Sequence, residues 1–512
     1  MKIKVGALMS RCGVKFGTSG ARGLSEDITD FVAYVYTLGF LSYLESIGEL
    51  PSSNLSTAYA ANDKSSLFQL RTIAVAGDLR PSTDRIAYAI CRAIEDYKCK
   101  PIYCGKIPSP ALALFGFQNS IPSIMVTGSH IPADRNGIKF NKKDAELLKD
   151  DEEGIRQQIV EIDDSIFDSS GFLKDATRLL NKINPEARIN YINRYVEFFG
   201  ENSLSSMRIG VYQHSSVSRD ILIEVLKRLG ANVTPLGFSD QFIPVDTEAI
   251  RQTDIELAKK WASEYKFDSI VSTDGDGDRP LISDEYGNWI KGDIVGLLCA
   301  KYLQVDSISV PISCNTAIEK CGYFAEVKRT KIGSPYVISS MQEATEKGRQ
   351  IVAGFEANGG FLLQTKVVKN GKTLLPLPTR DALLPILSIL ILSKISGKKI
   401  SALLSELPAR YTASDRLANY EQNRSRAILE KFSSDNEEKN LKEFEKYFGI
   451  VCGKPVSINR LDGIRVTFEN GEIIHLRPSG NAPEFRCYTE SDSQDSAIEI
   501  NQQCLEIIKN IK

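Results

Sequence analysis

Three carboxylates stand at every second position of one short stretch, where Asp274, Asp276 and Asp278 alternate with Gly275 and Gly277 and Arg279 follows. The glycines let the backbone curl, so the three side chains can converge on one point. Hard oxygen donors with room left for phosphate and water are what magnesium prefers. Arg279 beside such a centre offers a planar fork to phosphate oxygens. The plain alternative is a solvated acidic turn. A calcium-binding EF-hand fits poorly: Glu285 falls at its twelfth position, but the sixth is Arg279 where glycine is needed, and Pro280 follows.

Four other motifs carry groups of the right kind. In Val126-Thr127-Gly128-Ser129-His130-Ile131-Pro132 a hydroxyl follows a strand-like run, and Lys139 is close enough in sequence to return to the same pocket. The bland reading of that loop is a turn. A hydrolase triad would need a histidine facing the hydroxyl, and the chain has only His130, His214 and His475. Arg477, Ser479, Gly480, Asn481 and Arg486 combine two guanidinium groups, short polar side chains and open backbone into a phosphate cradle. Glu356 and Asn358, on a glycine-rich loop, could bond sugar hydroxyls. The loop from Phe16 to Gly23 is glycine-rich with a single basic residue, Arg22, and is weak alone.

Short β-branched runs alternating with longer amphipathic segments must position these groups, as in βαβ units. Residues 72–76, 101–104 and 123–127 read as strands, with a helix over 82–97 capped by Ser82. The layout restarts with strands at 208–212, 232–235 and 269–272, helices ending near Leu229 and Tyr265 between them. A third round has a helix near Ile294, strands at 307–312, 324–328 and 350–353, and a helix ending at Lys347. Residues 144–185 read as a charged connecting excursion, with linkers near Ala187 and Asp293. Later, Asn470-Gly471 between 464–468 and 473–476 predicts a hairpin with a type I′ turn, and a last helix starts at Asp495. The expected fold class is α/β: three tandem α/β domains of mixed sheets (1–186, 187–293, 294–400) and a smaller C-terminal α+β domain (401–512) around a central cleft.

The 512 residues are 42% hydrophobic and 25% charged, an ordinary globular balance. A net charge of -2 supplies no field for nucleic acid or an anionic membrane. The longest apolar run, 382–393, contains Pro385 and falls short of the about 20 residues a membrane span needs, so it reads as a buried helix. Residues 1–13 lack the apolar core of a signal peptide. Ten cysteines without a CxxC pair indicate neither zinc nor disulfides and suit the cytoplasm.

Together the motifs resemble the α-D-phosphohexomutase family over essentially the whole chain, in the family's order. The resemblance implies a phosphoserine at Ser129 and one Mg2+ held by Asp274, Asp276, Asp278 and the Ser129 phosphate. Arg22, His130 and Lys139 would surround the reacting oxygens, with Lys139 as general acid or base and Arg279 supporting the phosphoserine. Glu356 and Asn358 would face the sugar. Arg477, Ser479, Gly480, Asn481 and Arg486 would clamp the phosphate that is not transferred. The implied reaction interconverts hexose 6-phosphate and hexose 1-phosphate through a hexose 1,6-bisphosphate, which also primes the enzyme. Mannose phosphates come first as substrate, then glucose, then glucosamine, with a monomer or homodimer as the assembly. A non-catalytic phosphosugar-binding relative and a serine hydrolase are the competing readings. The chain departs from the family's usual residues at Ser19, Gly128, Ile131, Asn358, Gly360, Asn481 and Ala482. Gly360 stands where the family has histidine, which moves proton transfer toward Lys139.

Overall fold

The computed structural model describes residues 1–17, 20–51, 71–174, 180–479 and 483–511. Three mixed sheets share one construction. In the first, the parallel strands Thr72–Gly77, Lys100–Lys106 and Ser123–Val126 are followed by an antiparallel return, Arg135–Asn141, which pairs onward with Ala21–Leu24. The second sets Asn232–Phe238, Arg208–His214 and Ser269–Thr273 in parallel and returns with Pro280–Ile282. The third sets Glu326–Thr330, Ser307–Pro311 and Val352–Phe355 in parallel and returns through Phe361–Leu363 to Leu377–Asp381. The inner parallel strands, such as the wholly buried Thr72–Gly77, are apolar on both faces because helices cover both faces. A fourth sheet is antiparallel throughout, in the order Tyr411–Ala418, Glu484–Ser491, Ile473–Pro478, Ile464–Phe468, Pro455–Asn459.

The mixed-sheet expectation therefore holds, but the returning strands were not legible, since Pro280–Ile282 and Phe361–Leu363 are three residues each. Other details differ as well. Ser82 precedes the helix Thr83–Asp96 but makes no side-chain cap; its hydroxyl donates to Ser25 instead. Ala187 and Asp293 sit in the first turns of the helices Glu186–Phe199 and Gly292–Leu303 rather than in linkers. The charged stretch after Asp144 is partly ordered. Its helix Lys149–Gln157 packs on Asp30–Ser46, and Ile159–Glu161 pairs with Lys2–Lys4. The segment with Pro385 is the buried helix Leu383–Ser396, with proline tolerated in its first turn.

Two of the four Asn-Gly pairs sit at hairpin turns and behave differently. Asn470 keeps a negative φ, and only Gly471 (φ 83°) is left-handed. Phe468 and Glu472 close a three-residue loop there, so the hairpin is as expected but the turn is not type I′. A type I′ pair does occur at Asn370 (φ 52°) and Gly371 (φ 73°), between Val367–Lys369 and Lys372–Leu374. The sequence reading had not picked out that hairpin.

One hydrophobic core runs continuously from Ala74 and Leu112 through Tyr191 and Leu226 to Leu298 and Leu387, joining the first three sheets. The C-terminal sheet closes its own core around Phe432, Phe444, Phe448, Phe468 and Phe485.

Candidate active site

In each mixed sheet the loop between the last parallel strand and its antiparallel return carries one of the motifs. Ser129 lies between Ser123–Val126 and Arg135–Asn141, the aspartates between Ser269–Thr273 and Pro280–Ile282, and Glu356 between Val352–Phe355 and Phe361–Leu363. Ligands of open α/β sheets bind outside these carboxyl strand ends. Three sheets thus aim three loops at one place.

Ser129 is wholly buried and left-handed, with φ 56°, a conformation that costs a non-glycine residue free energy and persists where surroundings enforce it. The enforcing groups are visible. Arg80 donates to the carbonyls of Ser129 (2.9 Å), Ile131 (2.6 Å), Pro132 (2.5 Å) and Arg135 (2.9 Å). Asp78 holds Arg80 Nε at 3.1 Å and accepts from Thr127, whose own oxygen accepts from the Ser129 amide. Gly128 is required by this clamp: a Cβ there would stand 2.7 Å from Arg80 Cζ.

The Ser129 hydroxyl donates to Asp274 Oδ2 at 2.6 Å. Asp274 Oδ1 accepts the amides of Asp278 and Arg279, which fixes the curl of the loop. Asp276 Oδ2 takes Ser109 Oγ and Lys139 Nζ, both at 2.6 Å. Asp278 Oδ2 takes Lys139 at 2.7 Å and Arg380 at 2.9 Å. One oxygen of each, Asp276 Oδ1 and Asp278 Oδ1, is buried without a hydrogen-bond partner. Among the described residues, the three aspartates form the one group that could hold a metal ion, their ligand atoms lying within 4.8 Å of one another.

Charge follows from this packing. Burial, then Asp276 and Asp278, push the Asp274 carboxyl well above its usual range. Burial acts upward on Asp276 and Asp278 too, but Lys139 at the first and Arg380 at the second more than offset it. Three carboxylates this close cannot all ionise comfortably without a cation. The donor set and its two unpartnered oxygens fit a hard divalent ion.

Around the triad are cations with free donors. Arg22 Nε and Arg279 Nε and Nη1 are buried without hydrogen-bond partners. Burial, then Arg279 and Arg380, lower the Arg22 guanidinium to about 10, leaving it charged at neutral pH. Burial, followed by Arg279 and Arg22, drives the His130 imidazole far below its ordinary value, so it is neutral. His130 Nδ1 lies 3.3 Å from Ser129 Oγ, and its other nitrogen is 4.0 Å from Asp246. His214 and His475 are committed to the carbonyls of Thr273 and Asp462. Among the described residues no histidine–carboxylate hydrogen bond backs the serine, which disfavours a hydrolase. Glu285 accepts from Ser401, outside the loop, so the EF-hand reading also fails.

Glu356 accepts Arg380 Nη1 at 2.8 Å. Asn358 departs from its expected role in one respect: its amide oxygen accepts the Gly360 amide of its own loop. Arg477 and Arg486 are directly opposite in the fourth sheet, with Arg416 opposite Arg486 on the far side, so three guanidinium groups share one face. Arg477 Nε is held by Asp462 at 2.8 Å, and Arg486 Nη2 by Glu484 at 3.3 Å. The Ser479 amide donates to the Glu484 carbonyl. Gly480 and Asn481, with Ser19 and Ala482, lie outside the described residues. Glu248, exposed to solvent but near the charges of Arg279, Glu356 and Arg486, marks where the fourth sheet meets the second and third.

Sequence reasoning missed Arg80, Ser109, Arg380 and Arg416. A signal for Arg380 existed: Arg380-Asp381 is a charged pair set between apolar runs, and a charge in such a place must be paired.

Family profiles described as phosphoglucomutase/phosphomannomutase alpha/beta/alpha domains I, II and III match residues 13–165, 189–287 and 291–411, and the C-terminal domain profile matches 429–507. The chain belongs to the phosphoglucomutase/phosphomannomutase family. It is 44% identical to a phosphomannomutase of Salmonella muenchen over 503 residues, covering 98% of this chain and 97% of that one. Its fold is similar to a solved phosphoglucomutase/phosphomannomutase family protein from Burkholderia thailandensis (TM-score 0.68, 18% identity, 96% and 97% covered). It is also similar to Aspergillus fumigatus N-acetylphosphoglucosamine mutase in complex with GlcNAc-6P and magnesium (TM-score 0.58, 13% identity, 99% of each chain).

Proposed function

We propose that the protein is a phosphomannomutase that interconverts mannose 6-phosphate and mannose 1-phosphate through a phosphorylated Ser129 and a mannose 1,6-bisphosphate. The observation that carries this reading is the meeting of unpartnered buried atoms. Asp276 Oδ1 and Asp278 Oδ1 lack a hydrogen-bond donor, while Arg22 Nε and Arg279 Nε and Nη1 lack a hydrogen-bond acceptor, the ion pairs of Arg279 with Asp246, Glu248 and Asp278 being 3.7–3.8 Å long. A cation and a phosphate bound together satisfy both sets.

Asp274, Asp276 and Asp278 would hold magnesium, with an oxygen of the Ser129 phosphate. The bound ion would neutralise charge on the phosphoryl group in transfer. Ser129 carries the phosphoryl group to the free hydroxyl of the sugar and receives the other phosphoryl group back after the bisphosphate turns over. Arg22 and Arg279 hold the phosphoryl oxygens. Lys139, kept an ammonium by Asp276 and Asp278 against burial, can give a proton to the departing oxygen. His130, neutral beside Ser129 Oγ, orients that oxygen. Glu356 accepts from sugar hydroxyls, and Arg477, Ser479 and Arg486 take the stationary phosphate.

The high identity to a phosphomannomutase favours mannose over glucose and glucosamine. An intact aspartate triad disfavours a binding-only relative, which would not need it. The division into four units, 1–186, 187–293, 294–400 and 401–512, belongs to this reading. Ten free cysteines support a reducing, cytoplasmic setting. Sedimentation would separate monomer from homodimer.

The test is a coupled assay with mannose, glucose and glucosamine 1-phosphates, primed with a hexose 1,6-bisphosphate, alongside intact-mass analysis. Mannose 1-phosphate should give the highest kcat/KM. A species one phosphate heavier should disappear with excess substrate and be absent in Ser129→Ala. A Ser129→Ala variant that turns over normally would refute the phosphoserine.

A further inference from the structure

The side chain of Arg380 lies where two functional loops from different sheets come together. Nη1 donates to Glu356 Oε2 at 2.8 Å, and Nη2 donates to Asp278 Oδ2 at 2.9 Å. All three side chains are at most 6% exposed, so solvent does not screen the pairs. Such doubly used guanidinium forks are rigid and strongly directional.

The strand that carries Arg380 is itself tied on both sides. Thr379 Oγ1 donates to Glu146, which belongs to the first sheet's domain. Asp381 accepts from the hydroxyls of Tyr191 and Tyr195 on the helix Glu186–Phe199, and from the Leu383 amide. Three consecutive side chains thus reach three different parts of the molecule, leaving the guanidinium little freedom to move.

Gly360 completes the arrangement. A Cβ at that position would lie 2.8 Å from Arg380 Cδ, 2.9 Å from Cγ and 3.0 Å from Cβ. These atoms are the root of the side chain rather than its flexible tip, so the arginine would have to leave its path. The residue that departs from the family resemblance is therefore the one that makes room for Arg380.

We propose that Arg380 is a positioning residue that couples the sugar-binding loop to the metal loop, orienting Glu356 and Asp278 through one guanidinium so that sugar recognition and metal binding depend on each other. The proposal rests on the reading of Glu356 as a sugar ligand. A guanidinium shared by two carboxylates fixes both orientations at once, and moving either carboxylate alters what the other receives. Lys139 contributes at Asp278 and Asp276 but does not bond Glu356, so the link between the loops runs through Arg380.

The experiment compares Arg380→Ala, Arg380→Lys and Gly360→Ala. Magnesium and manganese binding is followed by calorimetry on the sugar-free protein, and kcat and KM are measured with mannose and glucose 1-phosphates. Arg380→Ala should weaken metal binding by about tenfold or more, as losing a partner behind a metal ligand usually does. It should also raise KM and narrow the preference between the two sugars. Arg380→Lys should recover part of the metal affinity but not the preference, because an ammonium lacks the planar fork that aims two acceptors in fixed directions. Gly360→Ala should give the same pattern in weaker form with no charge altered, and it carries the test should Arg380→Ala fail to fold. Metal affinity and KM both within about twofold of the parent in folded Gly360→Ala and Arg380→Ala would overturn the proposal. Loss of metal affinity with unchanged sugar preference would also overturn it, since only one loop would then be positioned. Glu356→Gln separates the two levels. Unchanged KM and preference in Glu356→Gln would sink the sugar-ligand reading beneath the proposal. The expected loss in Glu356→Gln, with metal binding intact in Arg380→Ala, would sink the coupling alone.

Discussion

At Ser129, the proposed nucleophile, the loop is clamped through its backbone carbonyls while the hydroxyl bonds Asp274. Arg80 accepts that task because Gly128 lets it lie flat against the loop. Gly128→Ala introduces the residue usual in the family, yet in this chain the new methyl would press on Arg80. We expect about 1–3 kcal/mol of lost stability, the usual cost of overpacking, and a lower kcat. A melting temperature and kcat equal to the parent's would show that the clamp tolerates the methyl group. Asp276→Asn removes charge from the carboxylate that Lys139 and Ser109 hold in place. Turnover should fall by about 10²–10³, as it does when one preorganised electrostatic group is removed. Unchanged turnover, with or without a chelator, would count against the metal assignment. Asp274, Asp276 and Asp278 were readable from sequence because their spacing with glycines has few other uses. Arg80 and Arg380 were not, because nothing near them in sequence announces carbonyls or carboxylates that only the fold brings close.

Elements were legible in proportion to their length. The parallel strands and long helices were placed to within a few residues, since periodic burial over many positions is hard to mistake. The return strands Pro280–Ile282 and Phe361–Leu363 were too short to show a period, although they give each functional loop its second anchor. In the fourth sheet, His475 illustrates an element with a pH limit. Its Nε2–H donates to the Asp462 carbonyl, its ring stacks on Tyr488, and it lies near Arg465 and Arg477. Burial, more than these charges, lowers its imidazole to about 4 from the ordinary 6.5. The unfolded chain therefore binds a proton that the native protein refuses between those values. This contribution is complete above pH 6.5 and is lost as pH falls toward 4, at about 1.4 kcal/mol per unit. Denaturant midpoints measured over that window should fall less steeply in His475→Gln than in the parent. Equal slopes would remove His475 from the acid response.

Across the whole molecule, the phosphate cradle proposed on the fourth sheet would serve a reaction centre built by the other three. Arg477 and Arg486 are cross-strand neighbours on one face, so they form a single site rather than two. A sugar that presents each end in turn has to place either phosphate there. Arg477→Ala and Arg486→Ala should then raise KM for the 1-phosphate and the 6-phosphate alike. Loss confined to one isomer would rule out a shared cradle and the turning of the bisphosphate.

The separate core around Phe432, Phe444, Phe448, Phe468 and Phe485 means that the unit of the fourth sheet can open on its own. The first three sheets share one buried interior, to which the first sheet adds a further core on its other face around Val35, Val75 and Ile124, so they hold one another closed while the fourth opens. Polar contacts cross between them: Asn315 donates to the Arg410 carbonyl, the Thr316 amide donates to Glu490, and the Ile332 amide donates to Asp462. Amides in the strands Ile464–Phe468 and Ile473–Pro478 should exchange with solvent deuterium at a lower free energy than those in Thr72–Gly77. A phosphosugar bound across the cleft contacts both units, so by mass action it should slow exchange in the fourth unit more than in the first. Uniform exchange across both units, unaltered by ligand, would mean that the molecule opens as one body. If the difference is found, the substrate is a removable staple, and the least stable quarter of the enzyme is the quarter that must let its product go.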